Sequence, residues 1–214
     1  MILMDENYWN EIYWGKRLKE RNDMDFVNDI WLNKYNEIID KIPKGKALDL
    51  GCGIGQFSIY LKSKGFKVIA SDISSEALKT LKSITKEIEI VQLDMSKPLN
   101  YSDNSFDLVF ANLSIHYFDE QTTIKLMKEI ARVLKPNGYF IGSVNSLKGY
   151  DDIKRQAKEI EPNYYFSGTR NFRLWDFKQF KQIFTDFEII KLKELNINRW
   201  EKNKYVWEFI SIKK

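Results

Sequence analysis

From residue 46 to residue 144 the chain alternates short apolar runs with stretches whose apolar residues recur every three or four positions. The runs Lys46 to Leu50, Phe66 to Ser71, Ile88 to Gln92, Phe106 to Ala111 and Tyr139 to Val144 have the length of buried strands and predict five of them. Between them, Gln56 to Lys64 places Phe57, Tyr60 and Leu61 on one face, and Ser75 to Lys86 carries Leu78 and Leu81. Thr122 to Leu134 aligns Met127, Ile130, Ala131 and Leu134, and Pro136-Asn137-Gly138 is its stop signal. All three stretches predict helices with one buried stripe. Two N-terminal stretches also read as helices. The second has Val27, Ile30, Trp31, Tyr35, Ile38, Ile39 and Ile42 at helical spacing and ends at Pro43-Lys44-Gly45.

Repeated strand–helix units predict a parallel sheet with helices on both faces, an α/β doubly wound architecture. The end of the chain departs from that rhythm. Phe187 to Leu192 and Tyr205 to Ile212 are two strands joined by a polar connection without a helix, which predicts an antiparallel pair at the sheet edge.

Composition narrows the class. With 43% apolar residues in 214 the chain can build a sizeable core, and no apolar run approaches the length of a membrane span. Cys52 is the one cysteine, so neither an internal disulfide nor a cysteine zinc site is expected. The N-terminus turns acidic at Asp5-Glu6 with no basic segment before an apolar one, and the expected location is the cytoplasm. The net charge of +4 comes from lysines spread along the chain, which reads as a solvated surface and not as a nucleic-acid track.

The candidate chemistry sits at strand ends. The first strand runs into Asp49-Leu50-Gly51-Cys52-Gly53-Ile54-Gly55, a glycine turn opening a helix, where backbone can approach a ligand closely. Asp72 ends the second strand, about 20 residues past the turn, where a carboxylate can take both hydroxyls of a ribose. Asp94 follows the third strand, placed to accept from an adenine amino group, with Ile73 and Met95 able to sandwich the ring. Asn112 ends the fourth. Each alone also reads as a polar strand-end residue or a helix cap; four successive strand ends together point to a nucleoside ligand.

The segments Ala47 to Gly55, Asp72, Leu93-Asp94-Met95, Phe106 to Asn112 and Val133 to Phe140 resemble, in order and spacing, the signatures of class I S-adenosylmethionine-dependent methyltransferases. The resemblance covers roughly residues 45–145. More loosely, the whole chain is similar to small bacterial methyltransferases of the tellurite-resistance, thiopurine-like and type-11 kinds. It implies a Rossmann-like seven-stranded sheet with S-adenosyl-L-methionine as methyl donor and S-adenosyl-L-homocysteine as product. It assigns Asp49 with the backbone of Gly51 and Gly53 to the methionine end, Asp72 to the ribose, and Asp94 with Met95 to the adenine, and counts Cys52, Gly55 and Ile73 among the cofactor-binding residues. Asn112 lies beside the reacting centre, and Tyr13 and Trp14 either close over the cofactor or pack the core. The chain then reads as one domain over residues 1–214. Residues 1–44 form a helical cap, 45–145 the cofactor-binding core, 146–173 an acceptor lid, and 174–214 a helix and the terminal strands.

Methyl transfer from a sulfonium is an in-line displacement that calls for alignment more than for a metal or a covalent intermediate. A general base is needed only if the acceptor must first lose a proton. His116, the one histidine, is the candidate, against a role in orienting its loop. Trp31, Tyr117, Asn145, Arg170 and Phe172 are candidate acceptor residues. The segment Asn145 to Phe172, too long for a simple connection, reads as an aromatic-rich lid or as a surface helix and loop. Arg170, with Arg173 nearby, has the charge to seat one carboxylate. The N-terminal aromatics Trp9, Tyr13, Trp14 and Trp31 together with this lid favour a small-molecule acceptor, with the protein a monomer or homodimer. An RNA or protein methyltransferase and a non-catalytic cofactor binder are the alternatives. A nicotinamide dehydrogenase is disfavoured by the G-x-G-x-G spacing and the terminal strand pair.

Overall fold

The computed structural model describes residues 4–15, 18, 30–150, 155–199 and 202–214, with only the backbone described at residues 30, 31, 198, 199, 202 and 203. Val27 of the second N-terminal stretch lies outside these residues. Helical segments span Tyr8–Trp14 and Ile30–Tyr35, the latter running into Asn36–Ile39.

The five expected parallel strands are present. They are β1 (Lys46–Leu50), β2 (Lys67–Asp72), β3 (Glu89–Gln92), β4 (Phe106–Asn112) and β5 (Leu134–Asn145). The helices between them are α1 (Gln56–Ser63), α2 (Ser75–Ile84) and α3 (Glu120–Val133). Ser74 caps α2, its hydroxyl accepting from Ala77 N–H at 3.2 Å. Helix α3 starts two residues earlier than its apolar stripe indicates, because Asp119 accepts from Thr122 N–H at 2.7 Å and fixes the first turn. It stops at Val133, since Leu134 is already extended and paired with Phe106. The Pro136-Asn137-Gly138 signal therefore lies inside β5 as a break in register against β4, with Asn137 at φ 60°.

The sheet order is β3-β2-β1-β4-β5-β10-β9, with β9 (Phe187–Arg199) and β10 (Lys202–Lys213) forming the antiparallel edge. Both run further than their apolar residues predict. β10 pairs with β5 only between Val206 and Ile212, and its earlier residues pair with β9 alone. That end of the hairpin carries Asn196, Asn198, Lys202 and Asn203, which is why no apolar alternation marks it.

One sheet face packs Phe57, Tyr60 and Leu61 of α1, with Tyr35 and Ile39, against Phe110 and Ile141. The other packs Leu126, Met127 and Ile130 of α3, with Phe180 and Phe184, against Phe140 and Phe209. Helix α4 (Phe177–Ile183) supplies Phe180 and opens with a capping box between Asp176 and Gln179. Among the described residues no helix is long and apolar enough to cross a membrane.

The segment after β5 is more than a plain loop, and Arg155 and Gln156 within it are helical. It forms a second, antiparallel sheet of β6 (Lys158–Glu161), β7 (Tyr164–Phe166) and β8 (Asn171–Arg173). Strands this short carry too few residues for alternation to show.

Candidate cofactor and acceptor site

β1 delivers Asp49 and Leu50 to a turn in which Gly51 has φ 75° and Gly53 φ 56°. A side chain would not fit at either. A Cβ on Gly51 would lie 2.4 Å from Ser114 Cβ and 2.9 Å from Met95 Cε, and one on Gly53 would lie 2.6 Å from the Trp14 ring. The turn is stitched to β2. Gly51 and Cys52 N–H donate to Ser71 O at 2.8 and 2.9 Å, and Gly53 N–H donates to Asp72 Oδ2 at 2.8 Å. These N–H groups are therefore engaged within the protein, so the turn offers a ligand close approach more than free donors. Gly55 stands apart from the cavity: it caps α1 at φ 85° and faces Leu81 of α2.

Four polar strand ends converge on this turn. Asp49 is 1% exposed and accepts from Ser58 Oγ at 2.6 Å. Burial pushes its carboxyl up to about 7, against the pull of the Ser58 hydroxyl and with the nearby Asp72 adding to the rise. Asp72 accepts from Gly53 N–H and, at 2.9 Å, from Ser74 N–H; burial raises it too, and these N–H groups oppose the rise. Asp94 accepts from Ser96 N–H at 2.9 Å and Ser96 Oγ at 2.6 Å, both through Oδ1. Asn112 accepts from Ser143 Oγ at 2.6 Å. The chain then turns at Leu113, in the left-handed region at φ 53°, and Ser114 Oγ donates to Leu50 O at 2.7 Å. Burial also raises the Cys52 thiol, which stays protonated beside these carboxylates.

A single cavity joins these groups. Asp49, Gly51, Cys52, Gly53 and Asp72 line one part, and Ile73, Asp94, Met95 and Asn112 another. Its roof is Trp9, Tyr13 and Trp14 of the N-terminal segment, and its far wall Tyr117 and Phe118. The roof is anchored at both ends. Asn10 accepts from Ser74 Oγ at 2.7 Å and Glu76 N–H at 3.2 Å, and its amide donates to Ser75 Oγ at 3.0 Å, so it binds the first turn of α2. Trp9 meets Tyr117 edge-to-face at 4.8 Å. Ser58, Ser114, Leu113 and Asn10 are not singled out by sequence reasoning. A serine or asparagine carries no mark of which distant carbonyl or hydroxyl it will meet.

Of the candidate acceptor residues whose side chains are described, Tyr117 alone lines the cavity. His116 is 1% exposed, its ring 4.3 Å from that of Tyr117 and its Nδ1 without a hydrogen-bond partner. Burial, with the positive ends of Lys204 and Arg170 adding to it, holds His116 well below the usual imidazole range, so it is neutral. Asn145 is buried two residues beyond Ser143. Phe172 is buried against Tyr150, Tyr165 and Leu174 in a small core of its own. The side chain of Trp31 lies outside the described residues. Arg173 is not available to an acceptor. It is 1% exposed, ion-paired with Glu161, donates to Phe118 O and Pro162 O at 3.3 Å each, and sits 5.2 Å from the Tyr164 ring centre.

Residues 48–142, which hold this turn and its converging strand ends, match a family model described as a methyltransferase domain. This stretch is a methyltransferase domain. The curated relatives of the domain include a human mitochondrial arginine hydroxylase, NDUFAF5, 32% identical over 135 residues that make up 61% of this chain and 38% of that protein. They also include phosphoethanolamine N-methyltransferase 3 of Arabidopsis thaliana, 26% identical over 76% of this chain and 35% of that one. The chain thus spans little more than a third of the length of these relatives. Among solved structures, an S-adenosylmethionine-dependent methyltransferase of Methanosarcina mazei shares the fold, with a TM-score of 0.73 at 23% identity over 84% of this chain and 97% of that one. The residues of the methyltransferase domain fit S-adenosylmethionine. Buried Asp49 and Asp72 can accept from an ammonium group or hydroxyls, Asp94 can accept from an amino group, and Ile73 and Met95 add apolar surface to the same cavity.

Proposed function

We propose that the protein moves a methyl group from S-adenosylmethionine to a small-molecule acceptor, acting in the cytoplasm as a monomer or homodimer. When bound, the cofactor supplies an electrophilic methyl group on a sulfonium. Asp49 holds its ammonium group, Asp72 its ribose and Asp94 its adenine amino group, while Trp14 closes over the glycine turn. Asn112 and Tyr117 border the acceptor side. The carrying observation is the roof. Trp9, Tyr13 and Trp14 span the cavity from α2 to Tyr117, and a partly roofed, mostly apolar chamber suits a small ligand more than a polymer. The phosphoethanolamine methyltransferases among the relatives support that class. Neutral, buried His116 stands behind Tyr117 and not in the cavity, which argues against a general base there.

The test is transfer of radiolabelled methyl to small thiols, amines, phenols and acids beside bulk RNA, DNA and protein. Labelling of small molecules is expected. Salt-sensitive labelling of RNA alone, or of protein alone, would overturn the reading. Cofactor binding with no transfer to any acceptor would favour a non-catalytic binder.

A further inference from the structure

The roof of the cavity and its far wall are aromatic rings set at steep angles to one another. Trp9 meets Tyr117 at 4.8 Å between ring centres with 76° between the planes, and meets Tyr13 at 5.0 Å and 66°. Tyr13 in turn meets Trp14 at 5.2 Å and 78°. All four line the one cavity. The segment Tyr8–Trp14 is wound as a π-helix, whose i→i+5 bonds bring residues four and five apart to one face, so Trp9 shares its face with Tyr13 and Trp14. Rings stacked flat would offer a ligand one face; rings inclined like these wall a chamber on several sides. Such an arrangement suits a compact cation, because the face of each ring is the negative end of its quadrupole.

The charges of the cavity have the same preference. Among the described residues that line it, the charged ones are Asp49, Asp72 and Asp94, and none is lysine, arginine or histidine. Arg170, which has the charge to seat a carboxylate, does not line the cavity, and His116 is buried behind Tyr117. An anionic acceptor would enter against carboxylates with no described lining side chain to pair it. Asn112 adds a neutral acceptor. Its amide oxygen takes Ser143 Oγ at 2.6 Å with one lone pair and has a second for an N–H.

These features bear on which atom can be methylated. A carboxylate, phenolate or thiolate that attacks a sulfonium cancels its charge, so surroundings that favour a cation hold the reactants back. A neutral amine moves the charge instead. Its nitrogen lone pair forms the N–C bond while the S–C pair stays on sulfur, and the positive charge passes from sulfur to nitrogen. The nitrogen then releases a proton to water. Ring faces and carboxylates that favour a cation before transfer favour it during and after transfer as well. No base is needed before attack, because the amine reacts through a lone pair that it already carries.

We propose that the acceptor is an amine methylated on nitrogen, with the rings of Trp9 and Tyr117 about the developing ammonium group and Asn112 taking an N–H. This rests on the methyltransferase reading and deepens it by naming the acceptor atom. Trp9 and Tyr117 bind and orient; neither exchanges a proton with the acceptor.

The experiment uses the full chain saturated with S-adenosylhomocysteine. Three probes of one shape and different charge are titrated calorimetrically: choline, its neutral isostere 3,3-dimethylbutan-1-ol, and the anion 3,3-dimethylbutanoate. Wild type is expected to bind the cation about five-fold or more tighter than the alcohol, and the anion most weakly. Trp9→Leu and Tyr117→Leu are expected to bring the ratio of cation to alcohol affinity near unity, while Trp9→Phe, which restores a ring, keeps it. A wall that is merely loosened weakens both probes and leaves that ratio unchanged. In parallel, labelled methyl transfer is compared among benzylamine, benzyl alcohol, benzyl thiol and benzoate, with the amine expected to lead. Equal affinity of wild type for cation and alcohol, including none for either, overturns the proposal, as does stronger labelling of the alcohol, thiol or acid than of the amine. Where no member of that panel is labelled, the affinity ratio decides. Failure of wild type to bind S-adenosylhomocysteine would instead sink the methyltransferase reading and take this proposal with it.

Discussion

Asp49 is more deeply buried than Asp72, the other buried carboxyl of the cavity, and it makes cofactor affinity a function of pH. Its carboxyl is 1% exposed, accepts from both the hydroxyl and the backbone N–H of Ser58, and is raised by burial to about 7. At pH 6 only about a tenth of the free protein has this group ionised, against about three quarters at pH 7.5. An ammonium group seated against it favours the anion and restores an ordinary carboxylate pKa. Affinity for S-adenosylhomocysteine should therefore rise by roughly an order of magnitude, about 1.4 kcal/mol, from pH 6 to 7.5. It should fall again at alkaline pH, where the ligand's ammonium group loses its proton. The stability linkage has the opposite sign. The unfolded Asp49 ionises near 4 and the folded one near 7, so its burial costs the ligand-free protein increasing stability across that window, and the cost is constant above it. Calorimetry at pH 6 in two buffers of different ionisation enthalpy should show release of about 0.9 proton per ligand bound. Asp49→Asn should bind weakly with no slope between pH 6 and 7.5. No proton release at pH 6, or an unchanged slope in Asp49→Asn, would refute the reasoning.

Asp72→Ala should lose stability as well as binding, because Asp72 ties Gly53 and Ser74 N–H to the end of β2. Loss of one such charged bond is worth about 1.5–3 kcal/mol, readable by urea denaturation, and a fully stable variant would show that the ties contribute nothing. Arg173→Met should cost about 3 kcal/mol by removing the contacts to Phe118, Pro162 and Glu161. Arg170→Met should stay within about 0.5 kcal/mol of wild type, and equal losses in the two variants would mean that their environments have been misjudged.

Much of the cofactor side is legible in the chain itself. Strand length, helical spacing and a glycine turn are local properties, and a parallel sheet wound from β–α units brings its strand ends to one edge whatever the surface residues are. That is why Asp49, Asp72, Asp94 and Asn112 can be named from their positions after β1 to β4. The antiparallel edge pair is legible for a related reason, since a connection without a helix leaves its two strands no parallel route. The uses of these groups were settled only when distant segments met. Asp72 spends oxygens on Gly53 and Ser74, Asn10 caps α2 from the other end of the sequence, and Trp14 lies on Gly53. Arg170 and Arg173 look alike in the chain, three residues apart on one aromatic segment. The tertiary structure buries one against carbonyls and a carboxylate and leaves the other without an ion-pair partner among the described residues. The physical reason is that local pattern sets which face a residue takes, while burial and partners depend on what the rest of the chain packs against that face.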